Sequence, residues 1–193
     1  MFNRPRTSFL FLVLLAASAF GQDGPGAGAH LPSQAAADAL RAAASTDGAF
    51  IAAGLVKDSF QKDNLASLLQ VPTDEVSIVN LTGSQVRQAF ERSLSLYPMS
   101  NGSFLQISGF EVTFNRNGAP GSRIVSVTAN GSKLEDAHSY SVAMPSSLGR
   151  GGLGYFKIWD REKVARSLPG ATVESVLRGK AYSETSPRWI SQG

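Results

Sequence analysis

The sequence predicts an α+β fold, a mixed sheet covered by helices, and three observations carry that prediction. Short apolar runs of strand character at Ala49–Val56, Val76–Leu81, Phe104–Phe114, Arg123–Ala129 and Tyr140–Met144 are interleaved with helical patterns, but without the regular strand-helix-strand rhythm of a doubly wound sheet. Thr82 with Gln85 three residues later makes a capping box, and Val86, Phe90, Leu94 and Tyr97 then line one side of a helix. In Phe104–Phe114 the apolar positions change parity across a glycine: Leu105 and Ile107 are odd, Phe110, Val112 and Phe114 even. A strict two-residue period cannot do that on one face, so the spacing predicts a bulge or bend at Gly109, or a strand covered on both sides.

Taken in order, the chain opens on Arg4 and Arg6, an apolar run from Phe9 to Ala16 and small residues at Ala17, Ser18 and Ala19. This is the pattern of a secretory signal peptide over residues 1–21, cleaved after Ala19 or Gly21, and the expected localisation is secreted or periplasmic. The apolar run is shorter than the roughly 20 residues a membrane helix needs, so no stable membrane anchor is expected. Gln22 to Pro32, rich in glycine and alanine at its start, reads as a flexible lead-in to a domain over 33–183.

Ser33 is placed to cap a helix from Gln34 to Ala44, ended by Asp47-Gly48, and Asp63 to cap a short helix through Leu69 before Pro72. Arg87 and Glu91, one turn apart, suggest a surface pair. Asn130-Gly131 signals a tight hairpin. Tyr155 to Trp159 looks strand-like. Asp160 reads as the cap of a helix through Leu168, and Thr172 as the cap of another closed by Gly179. Residues 184–193 read as a C-terminal tail with little structure, from which Trp189 and Ile190 tuck back against the body.

Composition narrows the function. The full sequence has 18 basic and 15 acidic side chains; without Arg4 and Arg6 the balance is 16 to 15, a formal charge of +1. No excess of positive charge points to nucleic acid. There is no cysteine, which excludes disulfides and thiolate metal sites. A dimetal phosphoesterase needs a cluster of aspartates, histidines and an asparagine to hold two cations and activate water. The chain has two histidines, His30 and His138, and no Asp-x-His or His-x-His spacing, so no catalytic residue, metal ligand or cofactor is assigned to it. Nor is there a serine-nucleophile elbow. Gly149 to Gly154 contains G-x-G-x-x-G, but the aromatic segment that follows is no helix start, so a dinucleotide site is not expected. Asn-x-Ser/Thr sites occur at Asn80, Asn101 and Asn130, the last two in Asn-Gly turns that explain them without glycosylation.

The phrases Leu81-Thr82-Gly83, the helix ending AFERSL, FLQISGFEVTF and GGLGY resemble the C-terminal, nucleoside-binding domain of the 5'-nucleotidase family over about Ala35 to Tyr182. The family joins that domain to a dimetal phosphoesterase domain. The resemblance implies that Gly151, Gly152 and Gly154 form the loop that presents an aromatic ring to a base, that Tyr155 is that ring, that Asp160 contacts the ribose, and that Lys57 stands for an arginine. It also marks departures. Ala52 replaces an asparagine, Leu69–Pro72 lacks the second stacking ring, Leu153 replaces an acid, and His30-Leu31-Pro32 stands where an arginine is expected.

Two functions follow as expectations. One is an exported nucleotide-recognition or scaffolding half for nucleotide hydrolysis, partnered by a separate metallophosphoesterase subunit and a nucleoside or nucleotide. The other is a non-catalytic envelope protein with a degenerate pocket.

Overall fold

The computed structural model describes residues 24–193, and the leader expected over residues 1–21 lies outside them. The fold is α+β, with two mixed sheets where the sequence suggested one. The first sheet contains β1 (Gly48–Ala52), β2 (Glu75–Thr82), β3 (Leu105–Ser108), β7 (Ser139–Pro145) and β8 (Val164–Thr172), in the order β3-β1-β7-β2-β8. The second contains β4 (Phe110–Asn115), β5 (Ile124–Ala129), β6 (Ser132–Lys133) and β9 (Trp189–Gln192), in the order β6-β5-β4-β9. The pairs β1–β7 and β4–β9 are parallel; the others are antiparallel.

Both faces of the first sheet are buried, and alternate residues sort its strands between two cores. Ala49 and Ile51, with Val76 and Ile78, face α1 (Leu31–Ala44) and α4 (Val173–Leu177). Phe50 and Ala52, with Val79 and Leu81, face α2 (Gly83–Ser93) and the second sheet. In that second core, Phe90 meets Phe50, Phe110 and Trp189 edge-on at 5.5–5.7 Å between ring centres, the geometry aromatic quadrupoles favour.

The parity change at Gly109 is the point where the chain leaves one sheet for the other. Gly109 has φ +78°, and a Cβ there would lie 2.1 Å from the Asp47 carbonyl oxygen. β3 ends before it and β4 begins after it, so Leu105, Ile107, Phe110, Val112 and Phe114 all reach the same core despite opposite parity.

The Thr82–Gln85 capping box forms in full, and the Asn130-Gly131 hairpin joins β5 to β6 with both residues at positive φ. Elsewhere the structure corrects the expected elements. α1 starts earlier, on Leu31, with Pro32 in the first turn, where its missing N–H leaves no bond unmade. The Asp63 helix is a 3-10 turn, Leu65–Leu68, capped by Asn64, whose Oδ1 accepts from the Ala66 N–H. Arg87 pairs with Asp136 at 2.9 Å, and Glu91 instead accepts the backbone N–H groups of Arg123 and Ile124.

Tyr155–Trp159 is no strand: Gly152–Lys157 is a kinked 3-10 segment. Asp160 caps a 3-10 turn, Arg161–Lys163, and the rest of the expected helix is the edge strand β8. Residues from Trp189 onward form β9, so the expected tail completes the second sheet and Trp189 is 5% exposed. The lead-in is also packed from Pro25, as described below. Among the described residues no helix is long and apolar enough to cross a membrane.

Candidate functional site

The loop after β7 begins with a single turn of helix, α3 (Ser146–Gly149), whose Ser146 hydroxyl meets Ser77 at 2.6 Å. Gly151, Leu153 and Gly154 then adopt positive φ. At Gly154 this is needed twice over, since its φ is +81° and a Cβ would fall 2.1 Å from Arg92 Nη2. Gly151 and Gly152 are likewise crowded, against Phe156 and the Ser147 carbonyl. The loop is thus folded onto the C-terminal end of α2, where Arg92 donates to the Leu153 carbonyl at 2.5 Å.

This folding turns Tyr155 inward. Its ring is fully buried, stacked on Trp159 at 4.5 Å and 16°, with the Arg92 guanidinium 5.2 Å from its centre. The hydroxyl donates to the Ser103 carbonyl at 2.6 Å and lies 3.2 Å from Ser93 Oγ. Burial pushes the phenol well above its usual range, against the smaller opposing effects of the Ser93 hydrogen bond and Arg92. The ring that the resemblance assigns to a base has no face in solvent. The aromatic this loop does expose is the next one, Phe156, at 62%.

The other two side chains lie apart from it. Lys57 is exposed on the segment after β1 and lines an open cleft of about 360 Å³ with Pro25, Gly26, Asp58, Gln70 and Asn101; neither Tyr155 nor Asp160 lines that cleft. Asp160 is exposed, and its Oδ1 accepts from the Glu162 N–H at 2.9 Å, a cap for the turn it starts. Ala52, in the asparagine's place, is fully buried in β1. His30 is buried against Ser33, and His138 is exposed beside Tyr140. Among the described residues no group of three or more His, Asp or Glu side chains is placed to hold a metal ion.

Residues the sequence did not single out do much of the positioning. Arg92 clamps the glycine loop, and the fully buried Gln106 amide holds the segment before α1. Arg92 stands in the AFERSL phrase and Gln106 in FLQISGFEVTF, but their partners are distant in sequence and only the fold brings them together.

A family profile described as "5'-nucleotidase, C-terminal domain" matches residues 28–160. The chain belongs to that family. The 5'-nucleotidase C-terminal domain has curated relatives that extend well beyond it. The chain is 32% identical over 117 residues to the "Trifunctional nucleotide phosphoesterase protein YfkN" of Bacillus subtilis (strain 168), covering 58% of this chain and 8% of that protein. It is 35% identical over 106 residues to "5'-nucleotidase" of Mus musculus, covering 51% and 18%. Among solved structures, the 5'-nucleotidase precursor of Thermus thermophilus superposes with a TM-score of 0.71 at 19% identity, covering 86% of this chain and 36% of that one. The NAD nucleotidase of Haemophilus influenzae gives 0.64 at 17%, covering 90% and 37%. These likenesses confirm the fold expected of a 5'-nucleotidase C-terminal domain. The family match stops at Asp160, so β8, α4 and β9 lie beyond it.

Proposed function

We propose that this 5'-nucleotidase C-terminal-type domain is exported and acts as the scaffolding half for nucleotide hydrolysis by a metallophosphoesterase on a separate polypeptide. The export rests on the Arg4–Ala19 leader pattern. The observation that carries the scaffolding role is the enclosure of Tyr155 between Trp159 and Arg92. It favours a domain that contributes shape and surface over one that grips a base by two-sided stacking. Base recognition, where it persists, falls to Phe156, since an exposed ring is worth roughly 1–3 kcal/mol to a stacked base.

The test mixes purified protein with a metallophosphoesterase domain lacking its own C-terminal domain. Association by ultracentrifugation with a change in the partner's kcat/KM for AMP is expected. No association and unchanged kinetics would defeat the proposal.

The second reading, a non-catalytic envelope protein with a degenerate pocket, is favoured specifically by Ala52 and by the ring-free Leu69–Pro72 segment. Calorimetry with adenosine, AMP and UMP separates the readings of the pocket. Heat that disappears in Phe156→Ala would exclude degeneracy, because Phe156 is exposed and its removal leaves the core intact.

A further inference from the structure

The segment before α1 is a strap, and a single side chain fastens most of it. Gln106, fully buried on β3, donates through Nε2 to the carbonyls of Pro25 (2.7 Å) and Gly28 (2.8 Å), and its Oε1 accepts the His30 N–H (3.0 Å). The Asn101 N–H adds a bond to the Gly26 carbonyl at 2.9 Å. Pro25 and Gly26 thereby form part of the wall of the Lys57 cleft.

The strap ends on His30, which is 6% exposed and is the N-cap residue of α1: its carbonyl accepts the Gln34 N–H at 3.0 Å, and its Nδ1 shares a 2.7 Å hydrogen bond with Ser33 Oγ. A cation in that position would be both desolvated and set against the positive end of a 14-residue helix dipole. The other groups bonded to His30, Ser33 and Gln106, are uncharged. The charged group facing it is Asp58, which is solvent-exposed and opposes the effect only in part.

We propose that residues 24–30 are a pH-sensitive strap, docked as a wall of the Lys57 cleft while His30 is neutral and released from Gln106 and Asn101 when His30 takes up a proton. The proposal does not depend on what the cleft binds. The sign follows from burial, which lowers the docked imidazole's pKa from its ordinary 6.5, the nearby Asp58 raising it in part. Docking is therefore at full strength above about pH 6.5, the value for the released strap, and weakens as pH falls below it.

The test is backbone amide exchange by NMR on the full chain, with each rate normalised to its intrinsic value at that pH. Between pH 7.5 and 5 the Asn101 amide should progressively lose protection, the loss setting in as pH falls below the released strap's value. The β2 amides of Ile78 and Val79 should hold theirs. His30→Gln should remove the pH dependence, and in the unaltered protein the midpoint should coincide with the His30 imidazole titration followed by its ring-proton shifts. Protection of Asn101 that does not change with pH, or a transition that misses the His30 titration, would overturn the proposal even if the His30→Gln chain failed to fold.

Discussion

At the scale of single residues, the most informative side chain is Tyr155, because its chemistry and its apparent motif disagree. The Ser103 carbonyl and Ser93 hydroxyl fix its oxygen, and burial raises its pKa above the ordinary phenol value of 10. A group shifted upward in the folded state stabilises fully below the unfolded value and loses that contribution as pH rises above it. We expect Tyr155→Phe to cost about 1 kcal/mol by urea denaturation at pH 7, because the part-buried Ser103 carbonyl loses its donor. We also expect alkaline absorbance titration of the folded protein to reveal the same number of ionising tyrosines in the variant as in the parent. A variant with one fewer would show the phenol open to solvent. The glycines at 151, 152 and 154 were legible as a special loop, but which way the following ring points was not. Adjacent aromatics at 155 and 156 are equivalent in sequence, and which one is covered depends on partners from elsewhere in the fold: Arg92 and Ser93 on α2, the Ser103 carbonyl and Trp159.

At the scale of elements, strands and helices with a local signal were readable. The Thr82 capping box, the Asn130-Gly131 turn and the bend at Gly109 each depend on neighbours in the chain, and each formed where those neighbours placed it. β8 and β9 lack a clear local signal, each for its own reason. β8 is an exposed edge whose pairing with β2 shifts register twice, so it shows no clean alternation, and Asp160 followed by charged residues imitates a helix start. β9 is four residues long and takes its partner from β4, much earlier in the chain. Its weight in the structure is far larger than its length. Trp189 fills the space between Phe90, Phe104 and Phe114, and its indole N–H donates to the Leu105 carbonyl at 2.8 Å. Trp189→Ala should therefore destabilise the protein by about 3–5 kcal/mol in urea unfolding. A loss below about 1 kcal/mol would mean that the closing strand is dispensable.

At the scale of the whole molecule, one aromatic-rich core joins residues of both sheets and α2, and the first sheet shares its opposite face with α1 and α4. No sheet can come apart without exposing a core that belongs to another element. Urea unfolding should accordingly be a single transition, with far-UV circular dichroism and the fluorescence of the two tryptophans, Trp159 and Trp189, giving the same midpoint. Separated midpoints would show that the second sheet melts alone. The α+β class and the family were legible because they rest on ordered local motifs spread along the chain. The site was not, since it depends on the packing of a loop against a helix end and of a strap against one buried amide.

The passage from β3 to β4 through Gly109 alone also limits how the sequence can vary in length. A residue added or lost between Leu105 and Phe114 would turn one of the two strands inside out, sending Ile107 or Val112 toward solvent. The loop at 116–122, which joins β4 to β5 on the surface, carries no such restriction. Tolerance of insertions should therefore be sharply uneven between these two neighbouring stretches, whatever ligand or partner each relative serves.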